Sequence, residues 1–89
     1  MNENQKYNLN ILANNFGLKR LVLFGSAVDS FENARDIDFA CEGLTGKKFL
    51  RFGVELEELF GRTIDLVQIE EKSRFIEEIL KYGVVVYES

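Results

Sequence analysis

The stretch Leu21-Val22-Leu23-Phe24-Gly25-Ser26, followed nine residues later by Asp36-Ile37-Asp38-Phe39-Ala40-Cys41-Glu42, decides the fold. Its first half is short and apolar throughout, which predicts a strand buried on both faces over Lys19 to Phe24. Gly25-Ser26 closes that strand. In the second half, alternation places Asp36, Asp38 and Ala40 on one face of a strand and Ile37, Phe39 and Cys41 on the other. The polar, mixed segment Ala27 to Arg35 between them leaves room for a short helical turn and a loop.

Working outward, Asn4 to Phe16 reads as a helix. Leu9, Leu12 and Phe16 recur at helical spacing with Ile11 alongside, and Gly17 stands where a helix stops. Gly43 to Gly46 is a loop. Lys47 to Phe60 is the clearest helix, because Phe49, Phe52, Leu56, Leu59 and Phe60 form one apolar stripe. Thr45 is placed to cap its start and Gly61 to end it. Arg62 to Ile69 reads as a third strand with Thr63, Asp65 and Val67 on one face. Ser73 to Tyr82 reads as a helix with Phe75, Ile76, Ile79 and Leu80 on its apolar side, capped by Ser73 and ended by Gly83. Val84 to Tyr87 is a last short strand, open to pairing if it lies at a sheet edge. The order predicts an α/β (α+β) protein with a small mixed sheet of about four strands and helices packed on it, in one domain spanning residues 1–89.

Composition narrows the chemistry. The formal net charge is −4, which argues against nucleic-acid binding by the chain's own electrostatics. There is no histidine and a single cysteine, Cys41. Ser-His-Asp and Cys-His catalysis, imidazole metal sites and internal disulfides are therefore excluded. Met1 to Asn10 is polar and no apolar run approaches about 20 residues, so neither a signal peptide nor a membrane span is expected, and the default location is the cytoplasm.

Any catalysis must rest on carboxylates, hydroxyls, amines and backbone. Asp36 and Asp38, two apart on a strand, point the same way with Cα atoms ~7 Å apart. Two acids that close repel unless a cation lies between them, and Mg²⁺ is often held by one or two carboxylates plus substrate phosphates. Such a pair is equally read as the solvated face of an edge strand. Gly25 lets backbone approach a phosphate and Ser26 can donate to it, although the same dipeptide makes an ordinary turn. Asp65 lies among apolar neighbours, where a charge is costly unless paired or metal-bound. It could complete a metal site, accept a proton from an attacking hydroxyl, or pair with Arg62, Lys19 or Arg20.

Gly25-Ser26, nine residues, Asp36-Ile37-Asp38 and then Asp65 on a later strand together resemble the pattern of the DNA polymerase β-like nucleotidyltransferase superfamily. The end, Phe75-Ile76-Glu77-Glu78-Ile79-Leu80-Lys81-Tyr82-Gly83-Val84-Val85-Val86-Tyr87-Glu88, resembles its minimal nucleotidyltransferase (MNT) branch. The resemblance implies Mg²⁺-dependent nucleotidyl transfer, with two ions held by Asp36, Asp38 and Asp65 and with Gly25 and Ser26 on the β- and γ-phosphates. It implies ATP as substrate and AMP as the group moved. Many MNT proteins are antitoxins of HEPN ribonuclease toxins, and some silence the toxin by adding AMP to a tyrosine, so a HEPN partner is expected. A homo-oligomer is also compatible with the sequence.

The chain departs from the family pattern at Asp29-Ser30, where Arg-Gly is usual, in a short spacer between the two motifs, and at Arg35, where Ser or Thr is usual. Asp29 and Ser30 favour an alternative, a binding module that neutralises its partner by contact alone. The clustered acids favour an enzyme. A small-molecule transferase of the aminoglycoside-modifying kind would need a second domain, and a polymerase would need a basic template groove. Cys41 reads as a buried small hydrophobe, the Phe stripe as core, and Lys47-Lys48 as a solvated helix start. Glu55, Glu57 and Glu58 read as a solvent face and Glu70-Glu71 as a polar linker.

Overall fold

The computed structural model describes all residues, Met1–Ser89. Its elements are α1 (Glu3–Phe16), β1 (Arg20–Phe24), α2 (Ser26–Asp29), β2 (Asp36–Glu42), α3 (Gly46–Phe60), β3 (Thr63–Gln68), α4 (Arg74–Tyr82) and β4 (Val84–Glu88). The strands form one sheet in the order β3-β2-β1-β4. β1 pairs antiparallel with β2 and with β4, while β2 and β3 run parallel. The sheet is therefore mixed and four-stranded, as the sequence predicts. The parallel pair needs a crossover, and α3 supplies it.

Strand alternation sorts the core into two layers. On one face Leu21, Leu23, Ile37, Phe39, Cys41 and Ile64 pack against Leu9 and Ala13 of α1 and Phe52, Leu56 and Phe60 of α3. On the other, Val22 and Ala40 meet Ile76 and Ile79 of α4, with Ile69. The second layer is much the smaller, and α4 leaves one end of its face uncovered. Asp36 and Asp65 are exposed there and Asp38 is half-buried. No helix is long and apolar enough to cross a membrane.

Helix ends follow local chemistry, with two exceptions. Asn2 and Gln5 form a reciprocal capping box at the start of α1, and Ser73 accepts from the Ile76 amide at the start of α4. Thr45 occupies the N-cap of α3 but makes no side-chain cap bond. Gly46 follows it with φ of 58°. Gly83 ends α4 in extended rather than left-handed conformation, at φ −78°. Its lack of a side chain serves packing, because a Cβ there would lie 2.6 Å from both the Ile79 carbonyl and Val22 Cγ1.

Several side chains depart from the expected pattern. Ile11, Phe75 and Leu80 are exposed, because α1 turns Leu9 and Ala13 inward and α4 buries only Ile76 and Ile79. Glu57 and Glu70 are not idle solvent groups. Glu57 accepts from the Ile64 amide at 3.3 Å and Glu70 from the Gly43 amide at 2.6 Å, each tying a helix or loop to the sheet. β4 lies at a sheet edge, with Val84 and Val85 exposed.

Candidate active site

β2 carries Asp36 and Asp38 on the face away from α3. The parallel register sets Asp38 directly beside Asp65 of β3, with Asp36 beside Thr63. Across the other edge of β2, Phe24 is the antiparallel partner of Asp38. Phe24 leads straight into Gly25, so the turn after β1 arrives next to the Asp38 carboxylate. A Cβ on Gly25 would collide with Asp38 Oδ2. Gly25 itself holds φ 75° and ψ −157°, a conformation open essentially to glycine alone. Ser26 follows, exposed, as the first residue of α2.

The structure thus brings Gly25, Asp36, Asp38 and Asp65 to one end of one sheet face, with Ser26 adjoining Gly25. The carboxyl of Asp38 is held above the usual carboxylate range. Burial against the sheet contributes most, followed by its hydrogen-bonding contact with Asp65, then by the negative charges of Asp65 and Asp36. None of the basic partners considered for Asp65 takes it. Arg62 donates to the carbonyls of Phe31 and Ala34 and stacks on the Phe31 ring, 4.6 Å from its centroid. Arg20 pairs with Glu42 at 3.3 Å, and Lys19 forms no ion pair.

Chemically, the arrangement suits a hard divalent cation. All three donors are carboxylate oxygens, and Asp38 is under electrostatic pressure that a cation would relieve. Asp36, Asp38 and Asp65 do not converge into a three-ligand metal cluster in this arrangement. Arg35 and Asp36 share a polar cleft with Glu57, Arg62 and Thr63. Cys41 is fully buried on the opposite face and its thiol is pushed up to about 12, mainly by burial, so it is no nucleophile.

Sequence reasoning missed a second cleft, of about 430 Å³, between α2 and α4. Its lining includes Phe24, Gly25, Asp29, Phe75, Glu78 and Tyr82. Phe75 packs edge-on against Phe24 with ring centroids 5.9 Å apart. The available signal was the width of the apolar stripe in Ser73 to Tyr82, broader than a nine-residue helix can bury on so small a sheet.

A mixed sheet with paired acids beside a glycine turn is the architecture of a nucleotidyltransferase domain. The family model for Polymerase beta, Nucleotidyltransferase matches residues 8–89, and the chain belongs to that family. No curated protein matches the chain. Solved structures share its fold. One is a toxin–antitoxin with AMP-PNP, with 21% identity and a TM-score of 0.77, covering 100% of this chain and 75% of that one. Another is a tri-AMPylated Shewanella oneidensis HEPN toxin in complex with MNT antitoxin, at 19% identity and a TM-score of 0.75, covering 100% of this chain and 74% of the other. The toxin–antitoxin MntA–HepT gives 17% identity and a TM-score of 0.73, covering 99% and 74%.

Proposed function

We propose that the chain is a Mg²⁺-dependent nucleotidyltransferase of the MNT antitoxin type, moving AMP from ATP to a tyrosine hydroxyl of a partner HEPN toxin. The observation that carries this reading is the side-by-side placement of Asp38 and Asp65 across β2 and β3, with Gly25 against Asp38. The antitoxin role is supported by MntA–HepT and by the AMPylated HEPN toxin seen with its MNT antitoxin.

In this reading Gly25 and Ser26 receive the β- and γ-phosphates. Asp36, Asp38 and Asp65 would hold the metal ions, and Asp65 would also take the proton from the acceptor hydroxyl. The acceptor oxygen forms a bond to the α-phosphorus as the bond from that phosphorus to the pyrophosphate oxygen breaks. When bound, Mg²⁺ would neutralise phosphate charge, lower the acceptor's pKa and stabilise the departing pyrophosphate. The remaining contribution is placement by rigid strands.

The test is co-expression with a HEPN partner followed by mass spectrometry. The expected result is a tyrosine carrying AMP, absent with Asp65→Asn. A second reading, neutralisation by contact alone, is favoured by Asp29, a carboxylate on the short helix that opens at Ser26. A stable complex with an unmodified toxin, undiminished by Asp65→Asn, decides for it.

A further inference from the structure

The cleft between α2 and α4 has a composition that the transfer reaction leaves unexplained. Three of its walls are aromatic, Phe24, Phe75 and Tyr82, and two others are the carboxylates of Asp29 and Glu78. Neither carboxylate belongs to any of the chain's ion pairs, which join Met1 to Glu32, Lys6 to Glu3 and Arg20 to Glu42. No lysine or arginine lines the cleft. Phe75 and Tyr82 are 55% and 71% exposed, far more than large aromatics need be on so small a protein.

We propose that this cleft receives a basic side chain, a guanidinium or an ammonium, from the partner protein; the proposal rests on the reading of the chain as partner-directed. Aromatic faces attract cations through the ring quadrupole, and carboxylates at the rim add charge-assisted hydrogen bonds. The chain already shows the first effect at this spot, since Lys81 Nζ lies 5.3 Å from the centroid of the Tyr82 ring. Other occupants fit less well. Phosphate would meet two carboxylates and no cation. A nucleobase would stack on the rings and could offer an amino group to one carboxylate, but it carries no charge to offset the two acids. A divalent ion would find two carboxylates and no third protein ligand, since the aromatic walls offer none.

Position gives the site its role. Gly25 belongs both to the cleft and to the turn beside Asp38. A cation held by Asp29 and Glu78 therefore stands next to the place assigned to the phosphates. The cleft lining itself carries two acids and no base, and Lys81 reaches only the Tyr82 ring. The partner would supply the missing positive charge in trans, as basic fingers do elsewhere in phosphoryl transfer.

The test is a titration of the ¹⁵N-labelled chain with the blocked tripeptide acetyl-Gly-Arg-Gly-amide, without nucleotide or metal. The expected result is saturable shifts at the amides of Gly25, Asp29, Glu78 and Tyr82, and none with the norleucine analogue. The double variant Asp29→Asn, Glu78→Gln, at two exposed positions, should weaken binding about five-fold. Equal shifts from the norleucine peptide, equal binding by the double variant, absence of shifts at these amides, or displacement of the peptide by adenosine would each overturn the proposal. The nucleotide reading is judged separately by toxin modification, so failure of one does not masquerade as failure of the other.

Discussion

Replacing Gly25 with alanine tests the geometry of the site most directly. The residue sits at φ 75° and ψ −157°, and its missing side chain is the space that Asp38 Oδ2 occupies. Backbone strain in this region costs about 1–3 kcal/mol for a residue with a Cβ. For a chain of this size each kcal/mol shifts the melting temperature by about 4–8 °C, so a fall of about 4–24 °C is expected. Gly17→Ala is the control. It too has positive φ, at 73°, but its Cβ would meet nothing within 4 Å. It should lose about 1–2 kcal/mol from left-handed backbone alone. The discriminating measurement is the response to ligand in a thermal melt. Mg²⁺–ATP at tenfold above its Kd should add about 1.4 kcal/mol, or about 6–11 °C. Gly17→Ala should keep that increment in full, while Gly25→Ala should lose it, because Asp38 must swing away from Asp65 to admit the methyl group. If Gly25→Ala keeps the wild-type increment, the contact between turn and carboxylate does not govern nucleotide binding.

Asp38→Asn should abolish the Mg²⁺–ATP increment yet raise the melting temperature of the free protein by about 2–6 °C, since removing one like charge from a close set is worth about 0.5–0.8 kcal/mol. Folding raises the Asp38 pKa, so the native state binds the proton more tightly than the unfolded one, and ionisation above that pKa costs stability. The advantage of Asp38→Asn should therefore shrink as pH falls through the Asp38 titration in paired melts, and an advantage that grows instead would contradict the assignment. Arg62→Ala should cost about 2 kcal/mol by urea denaturation, through two lost hydrogen bonds to Phe31 and Ala34 and a lost ring contact. Cys41 should react with a thiol reagent at neutral pH only through opening of the fold, so its labelling rate should rise about tenfold for each ~1.4 kcal/mol of global stability lost.

Much of the fold is legible in the chain because its signals are local. Asp36 to Phe39 alternates before Ala40 and Cys41 are buried on both faces, Gly17 and Gly61 stand at left-handed helix ends, and the Phe52-Leu56-Phe60 stripe buries as its spacing requires. Strand order and direction are not local. Nothing in Ile64-Asp65-Leu66 states that β3 runs parallel to β2, and the adjacency of Asp38 and Asp65 is visible only once that register is known. The same holds for Arg62, which reads as a partner for Asp65 and instead anchors the loop before β2 through carbonyls that carry no side-chain signal. Phe75 has apolar chemistry and helical spacing, but its fate depends on how wide a sheet lies beneath α4.

The parallel pairing of β2 with β3 has a consequence for the reliability of folding itself. A slip of one residue would rotate Asp65 into the layer of Phe52 and Leu56 and turn Ile64 out to water. Misalignment of the acids thus means burying a charge, and a molecule in that state would not hold together. Hydrophobic burial of Ile64 and alignment of Asp65 with Asp38 are thus enforced by one and the same register.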